Sequence, residues 1–137
     1  MKGRPEALLE REVLAALGRV PDLSLYRNEV GEGHPGMIGR LLGQELGDYP
    51  EAQAIVRGVL MRHRLAWGMG NGSPDLVGAI AGRALGLELK SGAGRLSPDQ
   101  ERWHAAARER GGWGIYVVRS VDEAREALVR ARRGVLQ

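Results

Sequence analysis

The N-terminal part of the chain alternates between two periodicities. Residues 5–17, PEALLEREVLAAL, set Leu9, Val13, Ala16 and Leu17 at helical spacing, with Pro5 suited to a first helical position and Gly18 as the stop. Residues 23–30, LSLYRNEV, alternate and predict a strand. The stretch 31–39, GEGHPGMIG, predicts a loop. From Pro50 the pattern predicts a helix through PEAQAIVRGVLMRHRLAW, residues 50–67, with Ala54, Val56 and Leu60 as core positions. A second glycine-rich loop, GMGNGSP, follows at 68–74.

The rest of the chain is more sharply punctuated. DLVGAI (75–80) and ALGLELK (84–90) predict two strands of a hairpin, with AGR between them and SGAGR as the loop beyond. LSPDQERWHAAARERGG carries a full set of helix signals: Ser97 as N-cap, Pro98 next, Gln100 closing a capping box, and glycines at the end. WGIYVVRS (113–120) predicts a strand whose Ile115, Val117 and Val118 imply burial on at least one face. SVDEAREALVRARRG predicts the last helix, with Ser120 and Glu123 as a second capping box and Gly134 as its end. Helices alternate with strands and one hairpin is included, which predicts an α/β fold with a mixed sheet and helices against it. The chain shows no internal repeat and no low-complexity tract.

The hairpin brings chemistry together. If Ala81 and Gly82 form the turn, residues whose numbers sum to 163 face each other, and Asp75 then faces Glu88. Directly opposed side chains share a face with Cβ atoms about 5 Å apart, so two carboxylates there call for a cation. Lys90 follows Glu88 by two residues and points to the same face, while Leu87 and Leu89 point into the core. A hard divalent ion takes oxygen ligands and keeps several waters.

Composition narrows the field. The chain has 137 residues, 43% of them apolar, which suits a single domain with a core of Leu, Val, Ile and Ala, since Phe is absent. The absence of cysteine excludes disulfides, thiolate metal sites and cysteine nucleophiles. No apolar run is long enough to span a membrane and no signal-peptide segment opens the chain, so a cytoplasmic protein is expected. The net charge of +3 is compatible with a polyanionic partner without requiring one.

SPDL…LELKSGAGRLSPDQ resembles the signature of PD-(D/E)xK nucleases, and specifically the VRR-NUC branch, in which PD and ExK precede a helix containing glutamine. The resemblance covers residues 72–120 closely and runs on through GGWGIYVVRSVDEA to residue 124. LYRNEVGEG resembles the arginine-asparagine-glycine stretch near the start of such proteins. Residues 37–67 contribute little and read as a family-variable insertion in a single domain over 1–137. The resemblance implies a restriction-endonuclease-like PD-(D/E)xK core with a mixed central sheet flanked by helices. It further implies Mg2+ or Mn2+ on Asp75 and Glu88, with the Leu89 carbonyl as a further ligand. Lys90 would be the catalytic lysine, with Gln100 beside the site. It also implies a glutamate from the first helix. Glu10 and Glu6 both fall on the stripe of Leu9, Val13 and Leu17; Glu10 is favoured, and Glu6 stays open.

The expected activity is hydrolysis of DNA phosphodiesters, most of all in branched, Holliday-junction-like DNA, by a homodimer of a bacterial or phage-encoded chain. Neither a membrane nor a small-molecule substrate is expected. A flap or nicking nuclease of a repair or replication system, and a DNA-binding module without catalysis, are the alternatives. Arg27 and Asn28, at the end of the first strand, read as phosphate contacts or supports of the site. Ser91 and Arg95, after the ExK strand, read as phosphate contacts. Arg130, Arg132 and Arg133 read as a solvated helix end. His34, His63 and His104 have no metal-binding spacing, and His104, beside Trp103, reads as structural.

Overall fold

A computed structural model describes residues 4–33, 44–62, 65–67 and 69–137, and these group into two compact units, 1–29 with 71–137 and 30–70. The larger unit is built on helix α1 (Arg4–Leu17), strands β1 (Leu23–Arg27), β4 (Leu76–Ile80), β5 (Arg83–Leu89) and β6 (Gly114–Val118), and helices α3 (Pro98–Gly111) and α4 (Val121–Arg132). The smaller unit holds β2 (Gly31–Gly33), α2 (Pro50–Arg62) and β3 (Leu65–Trp67). Among the described residues no helix is long and apolar enough to cross a membrane.

The sheet of the larger unit runs in the order β1-β4-β5-β6, antiparallel except for the parallel pair β5–β6. The α/β architecture with a mixed sheet flanked by helices is therefore as expected. The β4–β5 register pairs Ile80 with Arg83 and Leu76 with Leu87, the alignment that an Ala81-Gly82 turn requires. Both turn residues have positive φ, 48° at Ala81 and 76° at Gly82, as a two-residue hairpin of matching twist demands.

Alternation along β5 divides the sheet into two faces. Leu85, Leu87 and Leu89 join Leu76, Ile80, Tyr116 and Val118 in the main core. Leu9, Val13 and Leu17 of α1 and Ala124, Ala127, Leu128 and Ala131 of α4 close that core from one side. The alanines let α4 lie close against both α1 and the strands. Gly86, Glu88 and Ile115 occupy the other face, where α3 lies. The outer edge of β6 is covered by the last residues: Ile115 donates its N–H to the Leu136 carbonyl, the Tyr116 hydroxyl bonds the Val135 carbonyl, and Arg108 holds the carbonyls of Ile115 and Leu136.

The smaller unit departs from expectation. The helix starts at Pro50 as read but ends at Arg62, and Leu65–Trp67 is a strand instead of a continuation of the helix. The residues read as a loop from Gly31 begin with a strand, β2, which pairs with β3 through Gly31 opposite Trp67, Glu32 opposite Ala66 and Gly33 opposite Leu65. Each strand has three residues, too few for alternation to emerge, so pairing across the sequence overrides local pattern. Residues 34–43, with His34 and Met37, and residues 63, 64 and 68, with His63, lie outside the described residues.

Two predictions follow from this framework. Ala81 bears the cost of a left-handed backbone at a position where Asn is preferred. Ala81→Asn is expected to stabilise the fold by about 1 kcal/mol, read as a rise in the urea midpoint with unchanged slope. At the other end, Asp22 accepts two bonds from Arg132, from Nε at 2.9 Å and Nη2 at 2.7 Å, which tie the α1–β1 connection to the end of α4. The hydrogen bond from Arg132 holds the Asp22 carboxyl below its ordinary pKa. A depressed folded-state pKa contributes stability above the unfolded value of about 3.9, lost as pH falls through the lower folded value. Asp22→Asn should therefore lower the thermal midpoint at neutral pH and leave it closer to wild type in acid.

Candidate functional site

The hairpin and α3 assemble a polar cluster on the face of the sheet opposite the main core. Glu88 projects from β5 and is 2% exposed. Its Oε1 accepts from Gln100 Nε2 at 2.6 Å and lies 3.3 Å from Lys90 Nζ. Lys90 Nζ in turn donates to Gln100 Oε1 at 3.0 Å. These three side chains thus form a closed triangle of donors and acceptors, in which the lysine compensates a carboxylate that burial alone would disfavour. The grouping on one face follows from two-residue spacing along β5 for Glu88 and Lys90.

Gln100 serves two masters. Its Oε1 also accepts the Ser97 backbone N–H at 2.9 Å, and its own N–H donates to Ser97 Oγ at 3.2 Å. The capping box expected at the start of α3 and the position beside the site are therefore realised by the same amide.

Asp75 sits one residue before β4. Its Oδ2 accepts the Leu89 N–H at 2.8 Å. In the register of this hairpin Pro74 stands opposite Leu89, and proline has no N–H for the Leu89 carbonyl. The ladder therefore ends here, with the Asp75 carboxylate turned onto the backbone of β5 in place of a strand partner. Asp75 lies one residue beyond the last paired residues, Leu76 and Leu87, and its side chain accepts from the backbone of β5 between Glu88 and Lys90 in sequence.

The loop that carries Asp75 is held from three sides. Asn28 donates through Nδ2 to Ser73 Oγ at 2.8 Å and to the Pro74 carbonyl at 2.9 Å, and its N–H donates to the Asp75 carbonyl at 2.8 Å. Pro74 is fully buried over Gly86, where a Cβ would come within 2.6 Å of its ring. Gly72, at φ 88°, passes the first turn of α3, where a Cβ would meet the Asp99 carbonyl at 2.3 Å. Only glycine fits there, so this loop and the helix that bears Gln100 meet backbone to backbone.

The remaining expected residues divide. Glu10 is buried, at 8% exposure, and bonds Arg27 Nε at 2.9 Å. Arg27 pairs with Leu76 in the β1–β4 ladder. Glu6 is half-buried. Of Arg27 and Asn28, read as phosphate contacts or supports, the first bonds Glu10 and the second holds the Ser73–Asp75 backbone. Ser91 is half-buried and Arg95 exposed in the loop after β5. Arg119, which the sequence did not single out, braces that loop by donating to the carbonyls of Gly92 and Gly94 at 2.8 Å each. His104 was also passed over as a site residue. It is fully buried with Nε2 3.7 Å from Glu88 Oε2, and the signal that locates it is its place four residues after Gln100, one helical turn along the same face.

Among the described residues no group of three or more His, Cys, Asp or Glu converges into a metal cluster. No family model, curated protein or solved structure matches the chain. The site's energetics make a prediction of their own. Lys90→Met removes the cation from a buried carboxylate and is expected to cost about 3 kcal/mol at neutral pH. Adding Glu88→Gln should recover part of that loss, a coupling that denaturant titration of the four proteins in the cycle measures.

Proposed function

We propose that the chain is a metal-dependent DNA endonuclease of the VRR-NUC, PD-(D/E)xK type, with a restriction-endonuclease-like core, that cuts branched, Holliday-junction-like DNA as a homodimer. The observation that carries the reading is the triangle of Glu88, Lys90 and Gln100 beside an Asp75 anchored on the Leu89 backbone. A plain surface strand would have no reason to bury a glutamate, draw a lysine over it and reach in with the capping glutamine of the next helix.

The donor set fits a hard divalent ion. Asp75 and Glu88 supply carboxylates, Oε2 of Glu88 has no hydrogen-bond partner among the described residues, and the Leu89 carbonyl lies on the Asp75 side of β5. Two carboxylates with a carbonyl would leave most positions to water and phosphate oxygen, which is how Mg2+ is usually held. Such an ion supplies Lewis-acid polarisation of the phosphate and a more acidic bound water.

The chain's own residues would do the rest. Lys90 Nζ donates to Gln100 Oε1 and lies beside Glu88, where it can hold a water or a phosphate oxygen. Its role is to orient the attacking water and stabilise charge that builds on the phosphoryl oxygens. Gln100 fixes Lys90 and Glu88 relative to each other. Glu10, tied to Arg27, would be the first-helix glutamate that the resemblance implies. Asp99 and Glu101 in the first turn of α3 oppose an anion there, so phosphate affinity rests on Lys90 and the exposed Arg95, not on the helix terminus. Contacts of that kind read backbone and shape and weaken with salt. A four-way junction is two-fold symmetric, and paired cuts match a two-fold dimer.

The test is a panel of labelled four-way junction, flap and linear duplex with Mg2+, Mn2+ or chelator. Symmetric, metal-dependent cuts on the junction are expected, reduced about 100-fold or more in both Asp75→Ala and Lys90→Ala. Preferred cutting of the flap, or nicking, would keep the site and change its substrate. Junction bound in chelator and left intact by wild type with either metal would instead make the chain a binding module, and the nuclease proposal would fall.

A further inference from the structure

The buried histidine of α3 has an address that the triangle does not use. His104 is 0% exposed, and neither ring nitrogen has a hydrogen-bond partner among the described residues. The same is true of Glu88 Oε2. Buried polar atoms without partners are rare, because each forfeits its hydration for nothing. Here the unmatched atoms face each other: His104 Nε2 lies 3.7 Å from Glu88 Oε2, less than 1 Å beyond a hydrogen bond.

The helix explains why they meet. Gln100 and His104 are four residues apart and lie on one face of α3. Gln100 Nε2 already holds Oε1 of Glu88. His104 therefore stands one turn further along the helix, opposite the other oxygen of the same carboxylate. Its ring is steadied from the side by Trp103, edge-to-face at 6.3 Å between centroids, and Trp103 is itself edge-to-face with Trp113 at 5.8 Å. A ring held in this way is suited to fix the plane of a neighbour.

We infer that His104 is a positioning residue for Glu88: its Nε2–H closes onto Oε2, so that α3 grips the carboxylate through two donors, one per oxygen, and sets the plane it presents to a divalent ion. The inference rests on the metal-dependent reading above and deepens it. An imidazole nitrogen that bears a hydrogen is a donor to a carboxylate oxygen. Outer partners that orient a ligating carboxylate typically govern metal affinity as well as activity. His104 touches no substrate atom in this scheme and acts only through Glu88.

Two readouts test it on the whole chain. Mn2+ binding is titrated for wild type, His104→Phe and His104→Gln, with thermal midpoints recorded alongside. His104→Phe fills the space without the donor and is expected to weaken Mn2+ binding about 10-fold or more. His104→Gln returns an amide N–H near the same place and is expected to restore most of the affinity, whatever it does to the midpoint. Separately, imidazole proton–nitrogen spectra of the metal-free protein should show a slowly exchanging, downfield Nε2–H that is absent from His104→Gln. Equal Mn2+ affinity in all three proteins would overturn the positioning role, as would a His104 ring protonated only on Nδ1. A wild type that shows the Nε2–H signal and binds no Mn2+ would overturn the metal reading instead, and with it the purpose assigned to the grip, while the contact itself would stand.

Discussion

Everything at this site depends on the register of one hairpin. The Ala81-Gly82 turn, with both residues at positive φ, sets Leu76 against Leu87. That alignment sends Leu85, Leu87 and Leu89 into the main core and leaves Glu88 on the α3 face. Because strand periodicity is two, a shift by one residue would exchange the two sets. Glu88 would then enter a core of Leu9, Val13 and Leu128, and three leucines would face Gln100. The apolar burial that stabilises the fold is thus the same force that aims the acidic side chain, and the site is paid for by the core behind it.

The polar face is built by short-range rules laid over that register. Two-residue spacing groups Glu88 with Lys90, four-residue spacing groups Gln100 with His104, and Pro74 ends the ladder where Asp75 turns onto the Leu89 N–H. Asn28 joins in from the far side of β4, with three bonds to Ser73, Pro74 and Asp75. Among the described residues, the buried side-chain polar atoms left without a hydrogen-bond partner are Glu88 Oε2 and the two ring nitrogens of His104.

Much of this was legible before any coordinates. The hairpin register could be read because a two-residue turn flanked by apolar alternation admits few alignments, and the last two helices because each carries its cap in the sequence. Gln100 was readable in both its roles. What could not be read has a physical cause in each case. β2 and β3 are three residues long and contain two glycines, so they carry no period, and the helix signal from Pro50 runs over Leu65–Trp67 without a stop. Arg119 acts on backbone carbonyls of a loop 25 and 27 residues away, which no local pattern reports. His104 looked like an ordinary core residue because its spacing matters only once Gln100 is known to touch Glu88.

The double duty of Gln100 ties the Glu88–Lys90 cluster to the end of a helix. Helix ends fray first, and the capping amide of α3 is also the arm that holds Glu88 and Lys90. Any event that unwinds the first turn of α3 therefore dismantles the triangle at the same moment, without loosening the leucine core on the opposite face of the sheet. The competence of the site is then a local equilibrium, separable from global unfolding and set by one serine, one glutamine and the glycine that lets the neighbouring loop lean against them.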